Sequence, residues 1–296
     1  MPKVSKMPVA GISYLEKMRI DVDTLLNRYL PPENQYPDRL HKAMRYSVLA
    51  GGKRIRPILA ITAYESFGGG DADIINPAAA SLELVHTYSL IHDDLPCMDD
   101  DDLRRGMPTL HRKFDEAIAV LAGDALHVLA FELIARSGSA RVVQELASAI
   151  GTAGMLGGQV ADVEAEGKKN SIEQINYIHT HKTGALIRAA VRIGSILAGI
   201  DDTALKKLSQ YGEKIGLAFQ IIDDILDIEG DQKKLGKKVG SDCKNEKATY
   251  PGTVGMERAR KDADRLIDEA IEICAEFDLK DNHFIEIARF IGQRDN

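Results

Sequence analysis

Tryptophan is absent from this 296-residue chain, and aromatic residues make up only 5% of it. Alanine, leucine, isoleucine and valine therefore have to fill the interior, which a hydrophobic content of 44% allows. Cysteine is also scarce. The three cysteines are too few for a disulfide framework and are typical of a reduced, intracellular protein. Lysine and arginine number 38 against 45 aspartates and glutamates, which argues against a nucleic-acid-binding surface.

Long apolar runs are missing as well. The most apolar stretch, residues 117–135, is interrupted by Asp124, His127 and Glu132, and no run reaches the roughly 20 residues of a membrane span. The beginning of the chain lacks the continuous apolar stretch of a signal peptide. We therefore expect no stable membrane insertion and a cytoplasmic location.

Alternating segments of valine, isoleucine and threonine, which would form strands, are also scarce. Apolar residues instead recur every three or four positions, as at Leu205, Leu208, Ile215 and Phe219, which is the helical period. Glycine and proline separate these helical stretches from one another. The pattern predicts an all-α fold, with residues 1–296 in a single large helical domain.

The first concentrated signal is a run of six aspartates within residues 93–102. A solvated acidic loop is the simplest interpretation of such a run. Here, however, the run follows an apolar helical segment, and Pro96 disfavours helix at the residue before it. Asp93 and Asp94 then lie at a helix C-terminus, where the helix dipole also disfavours negative charge. A divalent cation offsets both the repulsion and the dipole.

A second acidic motif contains Asp223, Asp224 and Asp227, of which the first and last share a helical face. Its neighbours are isoleucines and a leucine, so these carboxylates need cationic partners on a largely buried helix. All-carboxylate sites favour hard ions, above all Mg²⁺, which takes its remaining ligands from water and phosphate. The spacing excludes an EF-hand calcium loop, and the two motifs together predict a diphosphate site bridged by metal.

Basic clusters accompany the acidic motifs at residues 51–57, 104–106, 181–184 and 235–238. Each cluster alone is compatible with a solvated turn, and Arg104 with Arg105 could simply neutralise the acidic run. Four basic clusters beside two acidic motifs, on an otherwise apolar helical chain, are more specific. They indicate direct cationic contacts to an anionic substrate.

These motifs resemble those of the trans-prenyl diphosphate synthases, in particular the bacterial type that makes farnesyl diphosphate. The resemblance covers nearly the whole chain and keeps the family's order of motifs: residues 51–57, 93–106, 121–126, Gly158-Gln159 with Asp162, 182–184, 219–227 and 247–251. It implies an all-helical fold around a central deep cavity, a homodimer and about three Mg²⁺ ions per active site. The implied substrates are isopentenyl diphosphate and an allylic diphosphate.

The resemblance also implies roles for individual residues. The two implied metal-binding sets are Asp93, Asp94 and Asp99 in the first motif and Asp223, Asp224 and Asp227 in the second. The residues implied to grip the allylic diphosphate are Arg104, Lys182 and Lys237, with Lys238 as an alternative to the last. The pocket for isopentenyl diphosphate is implied at Gly52, Lys53, Arg56, His86 and Arg105. Near the reacting carbons the resemblance implies Thr183 and Gln220, and near the second metal set Lys247.

Product length is the last point on which the sequence gives a signal. Five residues before Asp93, about 7.5 Å down a helix, lies Tyr88. A core tyrosine is the simplest interpretation. The resemblance implies that a bulky aromatic at this position forms the floor of the cavity and stops chain growth at fifteen carbons. We assign Tyr88 and the adjacent Ser89 to this floor. Farnesyl diphosphate is therefore the expected product, with geranylgeranyl diphosphate as the main alternative.

Three other functions compete with this interpretation. A terpene cyclase would lack the pocket for isopentenyl diphosphate, and a non-catalytic synthase subunit would tend to lose the aspartate motifs. A metal-buffering helical protein would leave the basic clusters unexplained.

Overall fold

The structure, a computed structural model, describes residues 9–229, 249–279 and 281–294, with side chains described from Tyr14 onward. Over these residues the chain forms fourteen α-helices, one π-helix and one two-stranded antiparallel hairpin. The all-α fold predicted from the sequence is confirmed. The hairpin and the π-helix are local additions that the helical period does not predict.

The elements of the first half are α1 (Val9–Tyr29), α2 (Asp38–Val48), α3 (Ile55–Ser66), α4 (Ala72–Asp93), β1 (Leu103–Arg104), β2 (Met107–Pro108), α5 (Leu110–Lys113) and α6 (Glu116–Ala135). Those of the second half are α7 (Ala140–Ile150), α8 (Met155–Ala165), α9 (Ile172–Ile178), the π-helix (His179–Gly184), α10 (Ala185–Leu197), α11 (Asp202–Glu229), α12 (Tyr250–Val254), α13 (Met256–Ala275) and α14 (His283–Gly292).

Helix α4 is the centre of the first half. It begins at the N-cap Asp71, whose side chain accepts a hydrogen bond from the Asp73 N–H at 2.9 Å. It packs against α3, α6 and α10, so most of its side chains are buried and it has no polar face. This surrounded position holds the C-terminal end of α4, where the first acidic motif begins, in a fixed place.

Helix α11 is the centre of the second half and holds the second acidic motif in place. Its neighbours are α10, the π-helix and α13, and its tyrosine Tyr211 is completely buried. The Tyr211 hydroxyl donates to the carbonyl oxygen of Phe284 at 2.7 Å and so ties α11 to α14. One continuous cluster of buried apolar residues extends from α1 to α14. That continuity agrees with a single domain, which stays a prediction.

Helix α6 is long and apolar enough to cross a membrane by length and composition, with a mean hydropathy of 1.9, and it is the one described helix that meets this test. The core helices of soluble proteins pass the same test, and 39% of its most apolar window is buried in the fold. Its outer side exposes Val120, Leu121 and Val128. Apolar residues grouped on the exposed side of one helix are a feature of protein interaction surfaces.

Candidate active site

The first acidic motif lies where α4 ends, as the position of Pro96 predicts. Asp93 is the last residue of the helix and Asp94 is its C-cap. The chain then turns back, since the N–H of Asp99 donates to the carbonyl oxygen of Asp93 at 2.8 Å. Asp100 adopts a left-handed backbone conformation, with φ at 48°, in the same turn. The turn therefore brings Asp93 and Asp99 to the same end of α4.

Asp94 contacts the β-hairpin. Its carboxylate accepts from the Arg104 guanidinium at 2.7 Å through Nε and at 2.5 Å through Nη2. Burial raises the pKa of Asp94 to about 6, although the charge of Arg104 opposes that increase. Asp94 thus holds Arg104 in place from the buried side. Farther out, it is Arg112, not Arg105, that pairs with Asp102 at 2.7 Å, and sequence reasoning missed this residue.

The π-helix carries Lys182 and Thr183 into the space between the two acidic motifs. The Lys182 ammonium lies 2.6 Å from the Asp162 carboxylate of α8 and 3.9 Å from Asp93. The Thr183 hydroxyl donates to Gln220 Oε1 of α11 at 2.8 Å. One short segment therefore contacts both motifs. Single π-turns inside helices occur frequently at functional sites, because the extra residue changes the direction of the side chains.

Glycine at position 158 lets α8 approach the π-helix closely. A Cβ atom there would lie 2.1 Å from the backbone nitrogen of Lys182. We expect Gly158→Ala to push the two segments apart, lower the free energy of unfolding by about 1–3 kcal/mol and reduce kcat. Urea denaturation and steady-state kinetics measure the two effects. The matched control is Gly70→Ala, since a Cβ there meets no atom within 4 Å. Equal behaviour of the two variants would contradict the packing argument.

The second acidic motif lies on α11 beside the π-helix. Asp224 and Asp227 are buried, with exposed fractions of 4% and 1%. Asp223 is more exposed and receives a hydrogen bond from Arg294 Nη1 at 2.8 Å. Two of the three carboxylates are therefore buried and the third already holds a cation, as the apolar neighbours in the sequence predict.

Arg294 is the functional candidate that sequence reasoning missed in the tail. Its side chain is 1% exposed, stacks over the Phe219 ring at 3.8 Å and also donates to the Phe219 carbonyl oxygen at 2.8 Å. The sequence signal is weak, since Arg294 is a lone basic residue in the last four positions. In the structure this end of the chain lies against the second acidic motif.

A basic pocket forms at the loop before α3. Arg54 is its buried support: it pairs with Glu83 at 2.6 Å and with Asp23 at 2.8 Å. Gly52, with φ at 139°, leaves room for the Arg105 guanidinium, which a Cβ would approach to 2.8 Å. Arg105 donates to the Gly51 carbonyl oxygen. Arg54 was absent from the predicted site, and its role is to hold this loop.

Positive charge in the pocket exceeds what its surroundings neutralise. Burial lowers the pKa of Arg56 to about 10, an effect that Glu83 and Asp223 oppose and Arg105 reinforces. The Nε of Arg56 is buried and has no hydrogen-bond partner among the described residues. Burial, together with the charges of Arg56 and Arg105, also lowers the pKa of His86 well below its ordinary value. An anion would satisfy all of these groups.

The lowered pKa of His86 makes stability depend on pH. The unfolded chain binds the proton at about pH 6.5, whereas the folded protein resists it. The stability that neutral His86 contributes is therefore complete above about pH 6.5 and is lost as the pH falls. We expect His86→Gln to flatten the decline in unfolding free energy between about pH 6.5 and 5, as measured by urea denaturation. A decline as steep as in the unmodified protein would contradict this assignment.

Tyr88 lies one and a half turns below Asp93 on α4. Its ring stacks on His127 of α6 at a centroid distance of 4.6 Å and meets His92 edge-on at 5.8 Å. Its hydroxyl is buried and has no hydrogen-bond partner within the described part of the chain. Ser89 turns its hydroxyl back to the His86 carbonyl oxygen at 2.9 Å. The ring of Tyr88, and not Ser89, is therefore the bulky group at this level.

The donor chemistry of the two motifs fits Mg²⁺. Within the described ranges, no three Asp, Glu, His or Cys side chains converge closely enough to hold an ion unaided. Mg²⁺ is usually bound by one or two carboxylates and completes its shell with water and substrate phosphate, so oxygen-only motifs of this kind suit it. Asp223 already attracts the Arg294 guanidinium, which shows that the site favours positive charge. The predicted Lys237, its alternative Lys238, and Lys247 lie outside the described residues.

Comparison with known proteins gives a consistent result. A polyprenyl synthetase family model matches residues 37–283. The chain is 48% identical over 281 residues to the farnesyl diphosphate synthase of Escherichia coli, covering 91% of this chain and 94% of that one. It is 45% identical over 293 residues to the geranylgeranyl diphosphate synthase of Cyanophora paradoxa, covering 96% and 97%. A geranyltransferase from Helicobacter pylori, solved with magnesium and isoprenyl diphosphate, superimposes with a TM-score of 0.83 at 33% identity, covering 97% and 98%.

Proposed function

The chain belongs to the polyprenyl synthetase family and is a trans-prenyltransferase that condenses isopentenyl diphosphate with allylic diphosphates, and we propose that its main product is farnesyl diphosphate. The observation that supports a fifteen-carbon product is the buried Tyr88 ring, stacked on His127 below Asp93. Geranylgeranyl diphosphate is the second candidate, because relatives of similar identity carry both names.

The basic pocket is the proposed site for the diphosphate of isopentenyl diphosphate. Arg56 and Arg105 bring charge that their surroundings leave in excess, and Lys53 and Gly52 lie in the same loop. His86, kept neutral there, can donate a hydrogen bond without adding charge. The pocket fixes the diphosphate and so places the homoallylic double bond next to the allylic carbon.

The second diphosphate, that of the allylic substrate, is proposed to lie between the two acidic motifs. Lys182 lies 3.9 Å from Asp93 and Arg104 pairs with Asp94, which supports a role for both cations, and Lys237 and Lys247 are proposed to add charge. We propose that Asp93, Asp99, Asp223 and Asp227 hold about three Mg²⁺ ions with the diphosphate. Asp94 and Asp224, which the resemblance also implies as ligands, already accept hydrogen bonds from Arg104 and from Tyr250 and Gln220, so we propose that they support the two motifs. Bound Mg²⁺ stabilises the negative charge that develops on the leaving diphosphate.

The chain's own residues account for the rest of the reaction. Lys182 and Arg104 stabilise the leaving diphosphate oxygens electrostatically as the allylic C–O bond breaks. The double bond of isopentenyl diphosphate then attacks the allylic cation and forms the new C–C bond. The released diphosphate accepts the proton that is lost in the last step, so a side-chain base is unnecessary.

We also propose a homodimer, supported by the exposed apolar side of α6 at Val120, Leu121 and Val128. A monomeric mass in light scattering would overturn it. A cytoplasmic location without membrane insertion or nucleic-acid partners is proposed from composition, and cell fractionation would test it.

The experiment for the main proposal uses purified protein, Mg²⁺, labelled isopentenyl diphosphate and dimethylallyl diphosphate, with dephosphorylated products sized by chromatography. The expected result is a fifteen-carbon alcohol. A twenty-carbon product would replace farnesyl by geranylgeranyl diphosphate. No product from dimethylallyl, geranyl or farnesyl starters would overturn the synthase proposal.

A further inference from the structure

The buried carboxylate of Asp224 is the centre of a hydrogen-bond network at the junction of α11 and the π-helix. Its Oδ2 accepts from the backbone N–H of Tyr250 at 2.7 Å, and its Oδ1 accepts from Gln220 Nε2 at 3.1 Å. The Nε2 atom of His179 lies 3.3 Å from the same Oδ2. Both carboxylate oxygens are thus occupied by groups of the protein.

This network fixes the side-chain amide of Gln220. Because Nε2 is directed to Asp224, the amide oxygen is directed the other way, where it accepts the Thr183 hydroxyl at 2.8 Å. A flipped amide would place an oxygen against the Asp224 carboxylate and an N–H against the hydroxyl. The orientation of Gln220 therefore follows from the position of Asp224.

The same network determines what Thr183 presents to its surroundings. A hydroxyl has one hydrogen and two lone pairs, and Gln220 takes the hydrogen. The oxygen of Thr183 consequently offers lone pairs, the negative end of its dipole, to any group placed beside it. A fixed negative dipole stabilises a developing cation without reorganisation.

We propose that His179 is a positioning residue for prenyl transfer, which through Asp224 and Gln220 holds the Thr183 oxygen with its lone pairs toward the allylic cation. This inference rests on the proposed function. It assigns a task to a histidine that the motif analysis left unused.

The burial of His179 supports a specific task. The residue is 4% exposed, and its Nδ1 is buried without a hydrogen-bond partner among the described residues. An imidazole that leaves one nitrogen unsatisfied is costly in the interior, and an apolar side chain would fill the space at lower cost. The contact with Asp224 is what the histidine gains there. Its ring also lies nearly parallel to that of Tyr250, with 23° between the two planes.

The test compares kcat and KM for His179→Ala, His179→Gln and His179→Asn. We expect His179→Ala to lower kcat about 10–100-fold, as loss of an outer-shell partner does elsewhere, with the KM for isopentenyl diphosphate nearly unchanged. Glutamine reaches Asp224 with its amide and should restore most of the rate, whereas asparagine is one methylene shorter and should not. The matched control is His283→Gln, because the partners of His283 are Glu286 at 3.2 Å and the stacked ring of Tyr14, and neither belongs to the proposed site.

A double mutant identifies the route of the effect. If His179 acts through Thr183, adding His179→Gln or His179→Ala to Thr183→Val should cause no further loss of kcat. The inference would be overturned if the fold-loss of kcat in the double variant equalled the product of the two single losses. Equal kcat values for the glutamine and asparagine variants would overturn it as well. If His179→Ala fails to fold, the comparison of glutamine with asparagine still decides. An unmodified protein without prenyltransferase activity would overturn the proposed function instead, so the two failures are distinguishable.

Discussion

Replacement of Asp93 by asparagine should lower kcat by about 10²–10³-fold or more, the scale seen when one preorganised charge-stabilising group is removed. The change keeps the shape of the side chain and removes its charge. Asp93 lies at the end of α4, 3.9 Å from Lys182 of the π-helix, and both residues belong to the proposed site of the allylic diphosphate. The Mg²⁺ concentration for half-maximal rate should also rise, because the variant holds the ion less tightly. Kinetics over a Mg²⁺ series measure both effects.

The control for Asp93→Asn lies in the same acidic run. Asp102 pairs with Arg112 at 2.7 Å, and its side chain is 66% exposed. Exposed pairs of this kind contribute little, so Asp102→Asn should retain kcat and the Mg²⁺ dependence within about twofold. An equal loss in both variants would mean that the whole run acts through its net charge. A fully active Asp93→Asn would remove the first motif from the metal site.

The end of α4 shows how much local chemistry can predict. Pro96 and the apolar stretch before it placed Asp93 and Asp94 at a helix C-terminus, and the structure confirms this. Sequence reasoning could not separate the two neighbours, because their difference comes from tertiary structure. Asp94 faces Arg104 of the hairpin. Asp93 instead lies 3.9 Å from Lys182, which is 89 positions later in the chain.

The π-helix shows what sequence cannot predict. Residues 179–184 have no composition that distinguishes a π-turn from the α-helices on either side. The segment packs against α8, where Gly158 lies close to the backbone of Lys182. His179 and Arg294 were missed because their partners, Asp224 and Asp223, are distant from them in sequence. The resemblance implies which residues lie near the reacting carbons, and the structure adds the side chains that contact them.

Tyr88→Ala should lengthen the main product from fifteen carbons to twenty or more. The Tyr88 ring is 5% exposed, and its space is bounded by His127 and His92. Truncation to alanine removes the ring and leaves a cavity along α4, into which a longer prenyl chain can extend before it meets the next side chain. A cavity of this kind also lowers the free energy of unfolding, by about 3–5 kcal/mol for a large aromatic residue, so the products should be sized at a temperature where the variant is folded.

Tyr88→Phe is the matched control, because it keeps the ring and removes only a hydroxyl that has no hydrogen-bond partner among the described residues. Its product should stay at fifteen carbons and its stability close to that of the unmodified protein. Chromatography of the dephosphorylated products from both variants decides. A fifteen-carbon product from Tyr88→Ala would contradict the assignment of Tyr88 as the floor. A longer product from Tyr88→Phe would mean that the hydroxyl, and not the bulk of the ring, limits product length. Longer chains from the alanine variant alone identify the ring as the group that stops growth.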